Sequence, residues 1–557
     1  MKDKIKVGIL IKSCEILLWE YRILEKLFNS EFAEIRLLIK KDENHVTFNF
    51  NNKNRSLIYL FHENLDKYIF RNEFDYDKKI NILDLIKEVP LISYDSTEGI
   101  PGDNVIDEIH KKIKDYKIDL FLNFGIATLS NDLLSMSRYG IWSYNIGDNK
   151  IIRGTPSIYW EIVKKLPEIG CTVSVTGGDQ YNGTVIYRTS ISTFTKSINI
   201  NKNRIYGLAS LIIPRLIQGL FESGGWYLEK SIYRFNSEVE MFNSKLYKSP
   251  NSLKALCNLI MIFITNLYRN IVYIKKDFWY LLYKINENNK RFPVTIDTFN
   301  KLTAPKDKFW ADPFAITKDD YHYLFVEEYL FKTNKAHITV LKLDNKGALL
   351  SSEKIIERPY HMSYPFIFNL NDKYYMIPES RGNRTIQLYC CTSFPNKWEF
   401  VMNLMENISA TDSTLFFYNN KWWLFTAIDE LNNPSIPFSE LFLYFSDDLF
   451  SGHWQSHPMN PIITDIKISR PAGKIFILNN NLYRPSQDCS GGYGKAFNVN
   501  RITKLSESSY EEILVLKVEP DWDKKLIGTH TFNFDDNITV VDASPRRRRV
   551  QLSLFKN

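Results

Sequence analysis

"WADPFAITKDDYHYLFVEE", Trp310 to Glu328, places a polar residue at the head of an apolar strand, then a turn, then an aromatic-rich strand. Aromatic and β-branched residues on both sides of an acidic turn read as a hairpin. The design returns in "SYPFIFNLNDKYYMIPES" (363–380), "TDSTLFFYNNKWWLFTA" (411–427), "SRPAGKIFILNNNLYRPS" (469–486) and "GTHTFNFDDNITVVDAS" (528–544). With Asp312, Tyr364, Asp412, Arg470 and His530 as equivalents, the spacings are 52, 48, 58 and 60 residues. Each repeat has room for about four strands, and five such repeats predict an all-β, five-bladed propeller.

In a propeller the innermost strand of each blade lines the central channel, so the five equivalents are expected to converge at one mouth. "FVEEY" adds Glu327 and Glu328, "PESRG" adds Glu379 and Arg381, and "YRPSQD" adds Arg484 and Gln487. Carboxylates around one funnel can do acid–base work on a glycosidic bond. Arginines among them can instead hold them ionised in a sugar or anion site, and inner-strand aspartates can simply tie neighbouring blades. The catalytic candidates are Asp312, Glu379 and Asp412. The substrate-binding candidates in this half are Glu328, Arg381, Arg470, Arg484 and His530. The six cysteines are scattered without CxxC pairs, so no metal site is expected.

The first part reads differently. Strand-like runs (Lys4–Ile11, Glu34–Ile39, Asp119–Gly125) alternate with helical ones (Glu15–Phe28, Asp103–Ile118 and "SNDLLSMSRYG", closed by Gly140), with a loop-rich insert reaching about Gly102. That alternation predicts a parallel sheet covered on both faces. Its ligands are expected beyond the carboxyl ends of the strands, after Leu122 and Tyr144. The expected domains are an α/β domain at 1–199, a helical connector at 200–291, the propeller at 292–545 and a basic tail at 546–557.

A chain of 557 residues is too long for one core. Its net charge of +7 owes four charges to Arg546–Arg549, which read as a solvated tail, with contact to an anionic membrane or another polyanion as the alternative. With no recognition-helix, zinc-finger or RNA-binding signature, nucleic acid is not an expected partner. The N-terminus lacks a secretory pattern, so the expected location is a reducing cytoplasm. Ala255–Ile274 is apolar, but Asn258, Asn266, Arg269 and Asn270 interrupt it. It reads as a buried or interfacial helix rather than a span, and peripheral membrane contact stays open.

"WADPF", "FVEE", "SYPF", "IPES", "TDSTLF", "WWLF" and "RPAG" resemble the five-bladed propellers of furanosidase-type glycosidases. They are closer still to the N-terminal region of plant glucosamine inositolphosphorylceramide transferases and their bacterial relatives. In the glycosidases an inner-strand Asp of the first blade is nucleophile or base, and Asp312 holds that position. Their general acid is a Glu of a later blade, for which Glu379 is the candidate. Residues up to about 200 resemble the formyltransferase fold through "DLFLNFGIATLSNDLLSMSRYGIWSYNIGDNKIIRGTPSIYWEI" and "GCTVSVTGGDQYNGTVIYRTSI". Those enzymes use 10-formyltetrahydrofolate with an Asn, a His and an Asp. Counting from Arg153–Gly154 puts the His position at or beside Asn145, and counting from Gly183 puts the Asp position on Tyr181. Neither residue type is kept, so Asn145, Asp148, Arg153 and Tyr181 are read as ligand-holding. The resemblances imply a sugar- or sugar-nucleotide-acting transferase of glycan or glycolipid assembly, without formyl transfer by the usual route. The alternatives are a non-catalytic carbohydrate-binding scaffold and a furanosidase.

Overall fold

The computed structural model describes residues 2–42, 56–71, 74–95, 111, 113–126, 137–176, 183–236, 245–272, 278–286, 296, 298–433, 438–534 and 536–546. They fall into two compact units, Met1–Ile264 and Thr265–Asn557.

The first unit is built on seven strands: β1 (Ile5–Ile11), β2 (Ala33–Asp42), β3 (Leu91–Asp95), β4 (Leu120–Phe124), β5 (Ile141–Ile146), β6 (Glu168–Thr176) and β7 (Thr184–Ser192). Across the sheet they run β3-β2-β1-β4-β5-β6-β7. Pairing is parallel from β3 to β5 and antiparallel from there on. Val7, Ile9, Leu10 and Ile11 are all fully buried, as an unbroken apolar run covered on both faces requires. Strand order reverses between β1 and β4, the position where such sheets open a crevice.

Helix α1 (Leu18–Phe28) starts three residues later than the periodicity suggests. Glu15–Leu17 pairs instead with Lys79–Asn81, and the Glu20 carboxylate accepts the Leu17 N–H at 2.8 Å, fixing the helix start there. Leu91–Asp95, expected within the loop-rich insert, is an edge strand of the sheet. The helices expected over Asp103–Ile118 and before Gly140 lie largely outside the described residues. Helix α2 (Leu57–Ile69) packs on α3 (Ile198–Ser223) through Asp66, which accepts the Ser197 hydroxyl at 3.0 Å and the Asn199 N–H at 2.7 Å. Among the described residues α3 alone is long and apolar enough to cross a membrane, but 61% of its apolar window is buried, as in a core helix.

The second unit is a ring of five blades, and the predicted propeller is there. Blade one comprises Lys308–Lys318, Tyr321–Leu330, Lys335–Leu343 and Leu349–Ile356. Blade two is Ser363–Leu370, Lys373–Ser380, Thr385–Ser393 and Lys397–Glu406, and blade three is Ala410–Tyr418, Lys421–Ile428, Leu441–Ser446 and Gln455–Ser456. In blade four the inner strand is split into Arg470–Pro471 and Phe476–Leu478, followed by Asn481–Asp488, Ala496–Ser506 and Ser509–Val518. Blade five closes the ring: Phe532–Phe534 pairs with Ile538–Pro545, which pairs with Tyr280–Ile285, which in turn pairs with Asn300–Leu302. Tyr280–Ile285 is thus a blade strand, although the sequence reading gave it to the connector. The burial of Leu281, Val540 and Val541 fastens this closure.

The hairpins owe their tightness to Asp319–Asp320, Asn371–Asp372, Asn419–Asn420 and Asn479–Asn480. Both residues of every pair have φ between 48° and 62°. Two consecutive left-handed residues define the turn that matches strand twist, and Asn and Asp tolerate that region best among residues with a Cβ.

Candidate functional site

Asp312, Tyr364 and Asp412 occupy equivalent places. Each sits at a bulge in the inner strand of its blade, with φ of 50°, 44° and 54°. Such a conformation costs a non-glycine residue about 1–3 kcal/mol and persists only where its surroundings impose it. Here hydrogen bonds between blades impose it. Asp312 accepts the Thr531 hydroxyl at 2.8 Å and the Tyr364 N–H at 3.2 Å, and its other contact is His530 Nε2 at 3.2 Å. One carboxylate therefore joins blades five, one and two. Asp412 accepts from Arg470 Nε at 2.5 Å and Gln487 Nε2 at 3.0 Å, joining blade three to blade four. Both carboxylates are buried, and the Tyr364 hydroxyl is taken up by Thr414.

A cavity of about 420 Å³ opens at the mouth. Its polar lining includes Glu327, Glu379, His361, Arg470 and His530, and its walls are Trp279, Phe309, Tyr329 and Tyr493. Strand register explains the selection. Glu327 lies opposite Ala311, Glu379 opposite Ser363 and Gln487 opposite Arg470, so the three occupy one position in blades one, two and four, which Ala427 holds in blade three. Arg470 is accordingly equivalent to Ala311, Ser363 and Thr411, one residue ahead of the bulge, and Pro471 stands where Asp412 would. His530 is held between Trp279 and Tyr493, at ring distances of 4.2 and 5.1 Å. Gly494 permits this close approach, because a Cβ there would come within 2.9 Å of Trp279 and 3.1 Å of His530.

His530 Nδ1 lies 2.8 Å from Asp542, opposite its contact with Asp312. Burial would discharge the imidazole, but the two carboxylates overrule it and raise its pKa well above 6.5. Burial likewise opposes ionisation of Asp312, yet His530 and Thr531 hold its pKa below 3.8. Asp312, His530 and Asp542 lie close enough to surround a cation, but the same two carboxylates favour the imidazolium form of His530, which has no lone pair to give one. Burial pushes Asp412 up to about 6 in spite of Arg470. Glu327 is raised by burial, against its partner His361 at 3.3 Å. His361 is itself raised, Glu327 overcoming its burial. Glu379 accepts the Thr411 hydroxyl.

Five expected site residues of this half do not line the cavity: Asp312 and Asp412, engaged in the blade-to-blade bonds, and Glu328, Arg484 and Arg381. Glu328 points to the opposite face of blade one, as alternation demands of the neighbour of Glu327. It lies 3.0 Å from Lys308, 2.8 Å from Trp310 Nε1 and 3.1 Å from His337. Against the effect of burial, these donors lower its pKa to about 2. Glu328→Gln is expected to cost about 1–3 kcal/mol of stability and to leave ligand binding at the mouth unchanged, as paired denaturation and binding curves would report. Arg484 and Glu512, each 1% exposed, form a buried ion pair at 2.6 Å. Arg381 contacts Ser409, Asp429 and the Phe438 ring and does not line the cavity. The sequence reading missed His361, Trp279, Phe309, Tyr329 and Tyr493. His361 and Phe309 had a usable signal, since each stands two residues ahead of the register position shared by Ser363 and Ala311.

In the first unit, Asn145 on β5 donates its side-chain amide to the Gly147 carbonyl at 3.1 Å. Asp148 is 3% exposed, with its carboxylate 2.8 Å from the Arg188 guanidinium. Arg153 belongs to a two-residue strand that pairs with Leu246–Tyr247, and Tyr181 lies outside the described residues. An amide and a carboxylate fixed in an ion pair cannot exchange a proton with a formyl group near neutrality. The described residues of this loop therefore do not fit formyl transfer from 10-formyltetrahydrofolate by the His route.

Residues 271–534 match the family described as glucosamine inositolphosphorylceramide transferase 1, N-terminal. Glucosamine inositolphosphorylceramide transferase 1 of Oryza sativa subsp. japonica is 33% identical over 237 residues, 41% of this chain and 32% of that protein. The chain thus spans about a third of the length of the curated relatives it matches. Among solved structures, glycinamide ribonucleotide transformylase 1 from Geobacillus kaustophilus is 14% identical, covering 39% of this chain and 100% of its own, with a TM-score of 0.29. Zg3597, a family 117 glycoside hydrolase from Zobellia galactanivorans, is 12% identical, covering 50% and 94%, with a TM-score of 0.31. The architecture itself rests on the strand order and the five blades described above.

Proposed function

We propose that the propeller mouth binds a glycosyl unit of a glycan or glycolipid and acts on its glycosidic bond, with Glu327 as the proton-handling group. The observation that carries this reading is the composition of the cavity. Four aromatic walls surround two carboxylates, two imidazoles and a guanidinium. Sugars are recognised in that way, apolar ring faces against aromatic rings and hydroxyls against charged acceptors and donors. The similarity of residues 271–534 to the N-terminal region of a glucosamine inositolphosphorylceramide transferase supports a glycolipid or glycan context. The transferase activity in that name belongs to a protein about three times as long as the segment matched here, so the acceptor and donor are part of the proposal.

A second reading, binding without turnover, draws support from Asp312 and Asp412, whose carboxylates are engaged in blade-to-blade hydrogen bonds. Calorimetry of the full chain with amino-sugar, inositol-phosphate glycan and nucleotide-sugar ligands, alongside assays for sugar release or transfer, separates the two. Tyr493→Ala is expected to weaken sugar binding by about tenfold, the value of one aromatic contact. Binding without product from any of these sugars would establish the second reading. No binding at the mouth would end both.

A further inference from the structure

Helix α4 (Gly225–Asn236) is followed by α5 (Ser252–Val272), whose amphipathicity is inverted. Its inward face carries Ala255 and Asn258, both buried, with Ile262 and Asn266 following half-buried at helical spacing. The Asn258 amide donates to the Tyr159 hydroxyl at 2.8 Å. Asn258 and Asn266, two of the asparagines that interrupt the apolar run, are therefore turned partly inward. The outward face is a stripe of Leu253, Leu256, Ile260, Phe263, Leu267 and Ile271, all exposed, with Leu253 at 72% and Phe263 at 65%. A helix of a soluble protein normally turns such a stripe to the core, and a patch of this kind marks an interaction surface.

Charge identifies what covers it. The stretch Lys245–Lys276 holds six lysines and arginines and no aspartate or glutamate. Two of the six, Lys254 and Arg269, stand near the two ends of α5, the Lys254 ammonium 4.9 Å from the centroid of the Trp160 ring; long basic side chains at such positions can meet phosphates while their stems stay with an apolar face. A second copy packed stripe to stripe would bring these cations towards one another. We infer that α5 lies in the plane of an anionic lipid surface, with its stripe among the acyl chains and its basic residues at the phosphate level. The inference is independent of the sugar reading, since α5 contributes no residue to the propeller mouth.

The test uses the full chain with vesicles of phosphatidylcholine alone or phosphatidylcholine with phosphatidylserine. Co-sedimentation with the anionic vesicles is expected, weakening as salt is raised. The double variant Ile260→Glu/Phe263→Glu, which alters only exposed positions, is expected to reduce it by about tenfold or more with an unchanged circular dichroism spectrum and melting temperature. Three results would overturn the inference: no association with either vesicle, association that the double variant leaves intact, or a solution dimer that the variant dissociates without any lipid binding.

Discussion

Glu327→Gln is expected to slow turnover of the bound sugar by about 10²- to 10⁴-fold, the contribution of one positioned general acid or base, with sugar affinity nearly unchanged. The residue is buried at the cavity wall, and burial raises its carboxyl above the ordinary 4.5 although His361 opposes this. A raised carboxyl keeps its proton to higher pH. As a proton donor it should therefore support turnover below its pKa and lose it as pH rises through that value. In Glu327→Gln the residual rate should no longer follow that limb. Asp312 cannot account for such a limb, because its carboxyl is held below 3.8. Single-turnover measurements across pH on both proteins decide the matter. A wild-type rate in the variant, or an effect confined to affinity, would remove Glu327 from the chemistry and leave it a binding contact.

The ring was legible because its repeats carry their own punctuation. Paired Asp and Asn residues mark the first hairpin of four blades, and each takes the left-handed conformation that those residue types suit. The equivalence of Asp312, Tyr364 and Asp412 followed from the same punctuation. It failed by one residue at Arg470, because blade four splits its inner strand after Pro471 and the count has no bulge to lean on. What Glu327 and Glu328 face depends on a subtler feature. Counting back from the Asp319–Asp320 turn without a bulge would pair Glu327 with Asp312. The bulge between Ala311 and Phe314 moves the register by one, so that Glu327 faces Ala311 and Glu328 faces Trp310. Sequence gives the alternation along a strand but not this slip. Trp279 and Tyr493 had no signal at all, since one precedes the strand that closes the ring and the other rides on a loop made possible by Gly494.

Asp312→Ala is expected to lower the stability of the propeller by about 3–5 kcal/mol, the cost of removing one partner from a buried charged network. Three groups lose their acceptor at once: the Thr531 hydroxyl, the Tyr364 N–H and protonated His530. The left-handed backbone at 312 also loses the side chain that fastens it. Asp312→Asn keeps the shape and one acceptor oxygen but not the charge opposite His530, so a smaller loss is expected. The pH dependence has a definite sign at each end. The folded-state pKa of Asp312 is depressed, so its contribution is in force above 3.8 and is lost as pH falls through the lower value. That of His530 is raised, so its contribution is in force below 6.5 and is lost as pH climbs through the higher value. The gap in melting temperature between wild type and Asp312→Asn should therefore be widest between pH 3.8 and 6.5, narrow in stronger acid, and shrink again as pH climbs towards the raised pKa of His530. Calorimetry of the propeller transition at several pH values provides the test. A nucleophilic Asp312 would give the opposite pattern, with Asp312→Asn fully stable and inactive at every pH. Loss of stability without that selective inactivation assigns the first-blade aspartate to holding the ring together, and leaves the chemistry of the mouth to the glutamates one strand further out.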